Sequence, residues 1–411
     1  MAQKQHFNSQ RLFPLLAGLL VLAHCGNPVL SGTSSVPWDT AFSIQDIQFP
    51  NDSMYQRSVI STGSLWRLKG FIHKCQTLKT VKIGFIGGSI TAGALASKPS
   101  LRFSSLFCTY IHDCFSNLEN VIEINAGIGA TPSRFACSRI QEDLLSFGPD
   151  LIVIEFAVND AIMGDELSIK SCMEGLVRRC FSYNNDVPVL LLFMPGTNGG
   201  NVENLHIDVG SYYDLPMISD RDAVWPLIES NAVSQGALYA DDIHPNDNGH
   251  RICAYLLYSF VKNQINAPSG PKSGIPPFLY SDIYQYAGIH DVNDTLIKVQ
   301  LSGWDYVNMG NGRVGYQSVP SSAGPSLIIQ SNCREITLGI RMQPTDTSSI
   351  QVTIDGEARD TVLNNYFSMN YTKFVRVLNA PTNDLHMVHV EHSAELPAFT
   401  IDYVLYAGAP H

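Results

Sequence analysis

One short apolar run, ended by two glycines and a serine, constrains this chain more than any other stretch: Lys82-Ile-Gly-Phe-Ile-Gly-Gly-Ser-Ile-Thr-Ala-Gly93. A run of this length reads as a buried strand, and the small residues after it read as the opening of a helix. Ser89 therefore falls at the carboxyl end of a strand, where open α/β sheets carry their chemistry. Gly87 and Gly88 let the backbone turn sharply and leave room for a substrate beside the hydroxyl. A nucleotide loop is excluded, because neither Gly-x-Gly-x-x-Gly nor Gly-Lys-Ser/Thr follows.

Strands and helices alternate around that turn. Leu65, Leu68, Phe71, Ile72 and Cys75 have helical spacing. Beyond Ser89 the pattern predicts a helix over 103–115, a strand over 121–124, a helix over 135–145 and a buried strand over 151–156. It continues with a helix over 168–181, a strand over 189–193 and a last helix over 249–263. Alternation of this kind predicts a mainly parallel sheet with helices on both faces and right-handed crossovers. The Gly/Asn-rich segment from Gly196 to Gly210 reads as a surface loop at the mouth of the site. Its Glu203, His206 and Asp208 read as solvated loop residues in preference to metal ligands.

The texture changes after Ala267–Pro277, where turn formers replace periodic apolar residues. Short alternating runs follow at Thr295–Leu301, Ser326–Gln330, Ile336–Ile340, Ile350–Ile354, Phe374–Val377 and His386–Glu391, the spacing of a β-sandwich. At 411 residues the chain is too long for one core,. The expected division is a signal peptide at 1–25, a lead-in and helix at 26–79, an α/β domain at 80–264, a linker at 265–277 and an all-β sandwich-like domain at 278–411.

Lys4, Arg11 and the apolar run Leu12–Ala23 match the charged start and core of a signal peptide, too short to span a bilayer comfortably,. A secreted protein is expected, with no membrane insertion once the signal is removed. A lipid anchor at Cys25 is disfavoured by His24, which stands where a small residue is wanted. Eight cysteines remain after Cys25, an even number that permits disulfides in an oxidising compartment. None forms a CxxC pair, which argues against zinc. A net charge of -11 without a basic stripe excludes nucleic acid and anionic membrane surfaces as partners,. Asn51, Asn293 and Asn370 each open a glycosylation triplet, relevant only in a eukaryotic host.

A serine hydroxyl is a poor nucleophile until an oriented base removes its proton. Asp241-Asp-Ile-His-Pro245 supplies base and orienter within one turn, with Asp241 preferred to Asp242 on spacing. A carboxylate three residues before a histidine can hold one ring nitrogen while the other faces Ser89. Two further stretches sit where strands end. Asn125-Ala-Gly-Ile-Gly-Ala-Thr131 can present backbone N–H groups, and Glu155-Phe-Ala-Val-Asn-Asp160 offers the side-chain amide of Asn159. Amide donors of this kind stabilise the oxyanion of acyl transfer.

These four stretches, in this order, resemble the SGNH, or GDSL-like, hydrolase superfamily over roughly residues 60 to 262. The resemblance implies a three-layer, flavodoxin-like sheet, a Ser89–His244–Asp241 triad, and oxyanion donors at Ser89, Asn159 and either Gly129 or Ala130. It implies no metal or organic cofactor. The first block reads Gly-Gly-Ser in place of Gly-Asp-Ser, which suits the carbohydrate-esterase-like branches. Secreted members of such branches often deacetylate polysaccharides, and many carry an added β-sandwich. The expected function is therefore O-deacetylation of a polysaccharide or oligosaccharide. A short-chain lipid or aryl acylhydrolase is the alternative within enzymes, and a non-catalytic carbohydrate-binding or wall-associated protein the alternative outside them. The segment from Thr197 to Tyr213 reads as an adaptable polar rim, unlike the continuous apolar wall of a long-chain lipase. Trp304, Tyr306 and Tyr316 have two readings, a sugar-binding face or packing in the sandwich core, of which packing is the preferred one.

Overall fold

The computed structural model describes residues 42–44, 47–49, 51–310, 312–319, 324–344, 348–364, 370–393 and 395–408, so the expected signal peptide lies outside the described residues. Strand Thr80–Gly87 sits between Asn120–Gly127 and Leu151–Glu155, and Val189–Phe193 and Met217–Ser219 continue the sheet in parallel. This order is that of flavodoxin-like sheets. Val59–Ser61 closes the far edge antiparallel, so the six-stranded sheet is mixed.

Every residue of Leu151–Glu155 and of Val189–Phe193 is buried, as strands covered on both faces require,. The period of two sorts their side chains. Leu151, Val153, Leu190 and Leu192 pack with the helices Trp66–Thr77, Phe103–Cys114 and Asp247–Asn263. Ile152, Ile154, Val189 and Leu191 pack with Ser133–Asp143, Glu166–Tyr183 and Glu203–Tyr212. Three layers result, and Ser89 follows the strand at which the chain order reverses.

The expected loop from Gly196 to Gly210, and the polar rim drawn from it, are corrected: Glu203–Tyr212 is a helix. Leu205 and Val209, four residues apart, are buried, and so are Glu203 and His206. Their polarity is matched from far along the chain. Glu203 takes hydrogen bonds from Arg221 and Ser219, and His206 pairs with Asp160. Strand Met217–Ser219 and helix Asp220–Glu229, which contains Pro226, were also absent from the expectations.

Two antiparallel sheets follow. One orders Ile297–Ser302, Ser326–Ser331, His386–His392, Ser349–Ile354 and Glu357–Asn364; the other orders Trp304–Asn308, Val314–Ser318, Thr400–Ala407, Glu335–Met342 and Tyr371–Asn379, with Ala287–Ile289 added beside Thr400–Ala407. Leu327, Ile329, Val352 and Val390 from the first meet Tyr316, Leu338, Ile340 and Val404 from the second, which makes a sandwich,. Trp304 and Tyr316 belong to that core, and Tyr306 alone of the three aromatics is exposed. A three-ring sugar face does not assemble.

The connecting segment is fastened to the α/β half. The buried Glu174 carboxylate accepts the backbone N–H groups of Leu279, Tyr280 and Ser281 at 2.6, 2.8 and 2.9 Å, and Arg178 donates to the Pro276 carbonyl at 2.7 Å. All eight cysteines from Cys75 to Cys333 are free thiols, seven of them buried, so the disulfides that the sequence permits are not formed here. Burial pushes the Cys180 thiol up to about 12, the behaviour of an inert apolar filler,. Among the described residues no helix is long and apolar enough to cross a membrane.

Candidate active site

Ser89 is the first residue of the one-turn helix Ser89–Ala92 that leaves strand Thr80–Gly87 through Gly88. Its hydroxyl lies 2.8 Å from His244 Nε2, and His244 Nδ1 lies 2.8 Å from Asp241 Oδ2. The other Asp241 oxygen accepts the backbone N–H groups of His244 and Ile243 at 2.6 and 2.8 Å. One carboxylate thus holds both the histidine ring and the loop that carries it. Partial burial pushes Asp241 up, but the His244 backbone and ring donors and Ile243 together hold it below its ordinary value,. With Nδ1–H donated to Asp241, Nε2 is free to accept the serine proton. Asp242 is exposed.

Two strand-end loops converge on the hydroxyl. In the first, Ile128 N–H donates to the Gly87 carbonyl at 3.0 Å, and Gly129 passes so close that a Cβ built on it would sit 3.6 Å from Ser89 Cβ. Ala130 turns that loop at φ 57, a left-handed conformation uncommon for a residue with a side chain,. The Asn125 amide donates to the Thr91 carbonyl at 2.7 Å while its oxygen accepts Gly127 N–H at 2.9 Å, tying this loop to the serine turn. In the second, Asn159 opens the 3₁₀ turn Asn159–Ile162 and lies against Gly88. A Cβ on Gly88 would lie 2.1 Å from Asn159 Oδ1, so the glycine is what admits the amide beside the serine.

Three buried groups under these loops received no role from the sequence. Asp160 is fully buried; its Oδ1 accepts Ser133 N–H at 2.7 Å and its Oδ2 meets His206 Nε2 at 2.9 Å. It therefore joins the Asn159 turn to the start of the helix that follows Gly129 and Ala130. Its neighbour Asn159 was the available signal, whereas His206 lay in the segment read as solvated loop. Glu155 accepts the Thr91 hydroxyl at 2.9 Å, and its Oε1 is buried without a hydrogen-bond partner among the described residues. His250, beyond the catalytic-type turn, is a packing group that burial pushes down to about 4.

Burial pushes Glu155 up to about 8 and Asp220 up to about 7. A carboxyl raised in the folded state contributes stability that is full below its unfolded value, about 4, and is lost as pH rises through its folded one. Melting temperature is expected to fall as pH rises across about 4.5 to 8. Glu155→Gln, which keeps the shape without ionising, is expected to flatten that fall in calorimetric melts. An unchanged slope would remove Glu155 as its source.

Residues 85–252 match the family model described as GDSL-like lipase/acylhydrolase. This chain is a carboxylic ester hydrolase whose residues 85–252 are GDSL-like. A solved two-domain esterase described as active on acetylated mannans is 25% identical, with 87% of this chain and 99% of that one covered at a TM-score of 0.76. A second structure of such an esterase, co-crystallised with mannopentaose, is 24% identical over 87% of this chain and 98% of that one, also at 0.76. Both halves of this esterase are therefore included in the likeness. No curated protein matches the sequence.

Proposed function

We propose that this esterase is a secreted carbohydrate O-acetylesterase, with acetylated mannan as the first substrate class to test. The continuous hydrogen-bonded series Ser89–His244–Asp241 carries the reading. His244 takes the Ser89 proton as the hydroxyl attacks the ester carbonyl, and the imidazolium is stabilised by Asp241. The backbone N–H groups of Ser89 and of Gly129 or Ala130, with the Asn159 amide, receive the oxyanion. Gly129 lies against Ser89, which supports keeping it among the candidate donors. Protonated His244 delivers its proton to the departing sugar oxygen, and water, deprotonated by the same ring, releases acetate.

An open site suits a polymer. Gly129, Ala130 and Asp241 are all exposed, so a chain of sugars can lie across the serine. The likeness to the mannan-active esterase, with its two domains in common, supports the substrate class. The test is a panel of acetylated mannan, acetylated xylan and aryl esters of increasing acyl length, with acetate release measured. Acetylated polysaccharide is expected to be the best substrate. A preference for long acyl chains overturns the carbohydrate assignment.

A further inference from the structure

The two loops beside Ser89 are joined a second time, through the β-rich half of the chain. Arg134, second residue of the helix that follows Gly129 and Ala130, places Nε 3.5 Å from Glu335 Oε1 and donates to the Tyr284 hydroxyl at 3.3 Å. That hydroxyl donates to Glu335 Oε2 at 2.7 Å. On the neighbouring strand Arg376 Nη1 lies 3.6 Å from the same Oε2 and donates to the Ser168 hydroxyl at 2.9 Å. Its Nη2 donates to Asp165 Oδ2 at 3.3 Å, just beyond the Asn159–Ile162 turn.

The series Arg134, Glu335, Arg376, Asp165 alternates in charge and runs from one loop, through the sandwich, to the other. Glu335 is only 2% exposed, and a buried carboxylate between two guanidiniums cannot be neutralised without leaving uncompensated charge,. Beside it Phe135, next in the helix, stacks on Phe374 at 4.7 Å and lies 5.0 Å from Tyr403, so the contact is packed as well as charged. Oxyanion donors act only over a narrow range of position, and a displacement of about 1 Å costs on the order of a hundredfold in rate.

We infer that the β-rich domain is part of the catalytic scaffold, with Glu335 and Arg376 as positioning residues that fix the Gly129–Ala130 loop against the Asn159 turn. This rests on the oxyanion roles proposed above for those loops. It gives the second domain a task that does not depend on holding sugar.

The test uses the full chain and 4-nitrophenyl acetate, a substrate too small to lie across both domains. Glu335→Gln and Arg376→Met are expected each to lower kcat about tenfold while KM stays within about twofold, with Glu335→Asp recovering part of the loss. Losses in the double variant should fall short of the product of the two, because both act on one linkage. Circular dichroism confirms folding; if Glu335→Gln does not fold, Arg376→Met, with its side chain 28% exposed, decides. Wild-type kcat in the folded variants overturns the inference, and so does a raised KM at unchanged kcat. A wild-type enzyme that cleaves 4-nitrophenyl acetate but no acetylated polysaccharide overturns the substrate reading and leaves this test standing.

Discussion

Ser89→Ala is expected to lower kcat on every ester by at least about 10⁴-fold, with little change in KM. In the mechanism proposed above, the hydroxyl at 2.8 Å from His244 Nε2 forms the acyl intermediate. Its loss leaves the donors on either side intact, so binding and residual polarisation of the carbonyl persist. Folding should be untouched, because the turn is held by Asn125, by Gly87 and Gly127, and by the Thr91–Glu155 hydrogen bond. Steady-state kinetics on 4-nitrophenyl acetate and labelling by an organophosphonate, read as a mass shift, check it together. Turnover or labelling at the wild-type rate would remove Ser89 from the mechanism. Adding His244→Ala to Ser89→Ala should cost almost nothing more, because the two residues act as a unit.

The layered α/β half was legible because its strands obey simple rules. Residues 151–154 and Val189–Phe193 are short continuous apolar runs bounded by turn residues, the pattern of a strand buried on both faces,. The turn Asp241–His244 was legible because its chemistry is local: a carboxylate reaches a ring three residues on. What failed was whatever depends on distant partners. Helix Glu203–Tyr212 opens with polar residues whose counterparts, Arg221 and Asp160, lie 18 and 46 residues away. Seen alone, that segment is hydrophilic and follows Asn198 and Gly199, both at positive φ, so it resembles a loop. Trp304 and Tyr316 illustrate the same limit, since an aromatic on a strand faces core or solvent according to the sheet packed over it. The ion series through Glu335 has no sequence signature at all, because its members are spread from Arg134 to Arg376.

Asn159→Ala is expected to lower kcat about 10²–10³-fold at nearly constant KM, the cost of one oxyanion donor. Gly88→Ala should cost about as much, by a different route. Gly88 sits at φ -88, outside the left-handed region that favours glycine, so what the new methyl meets sets its cost,. That methyl would lie 2.1 Å from Asn159 Oδ1 and 2.8 Å from Nδ2, and the amide has to swing away. In the Asn159→Ala background there is no amide to displace, so Gly88→Ala should then be nearly silent. The double variant is expected to match Asn159→Ala alone, a coupling as large as either single effect. Additive losses would mean that Gly88 matters through the serine turn itself and not through Asn159. The coupled outcome would explain the Gly-Gly-Ser block in this chain: a side chain at position 88 and an amide beside Ser89 compete for one space.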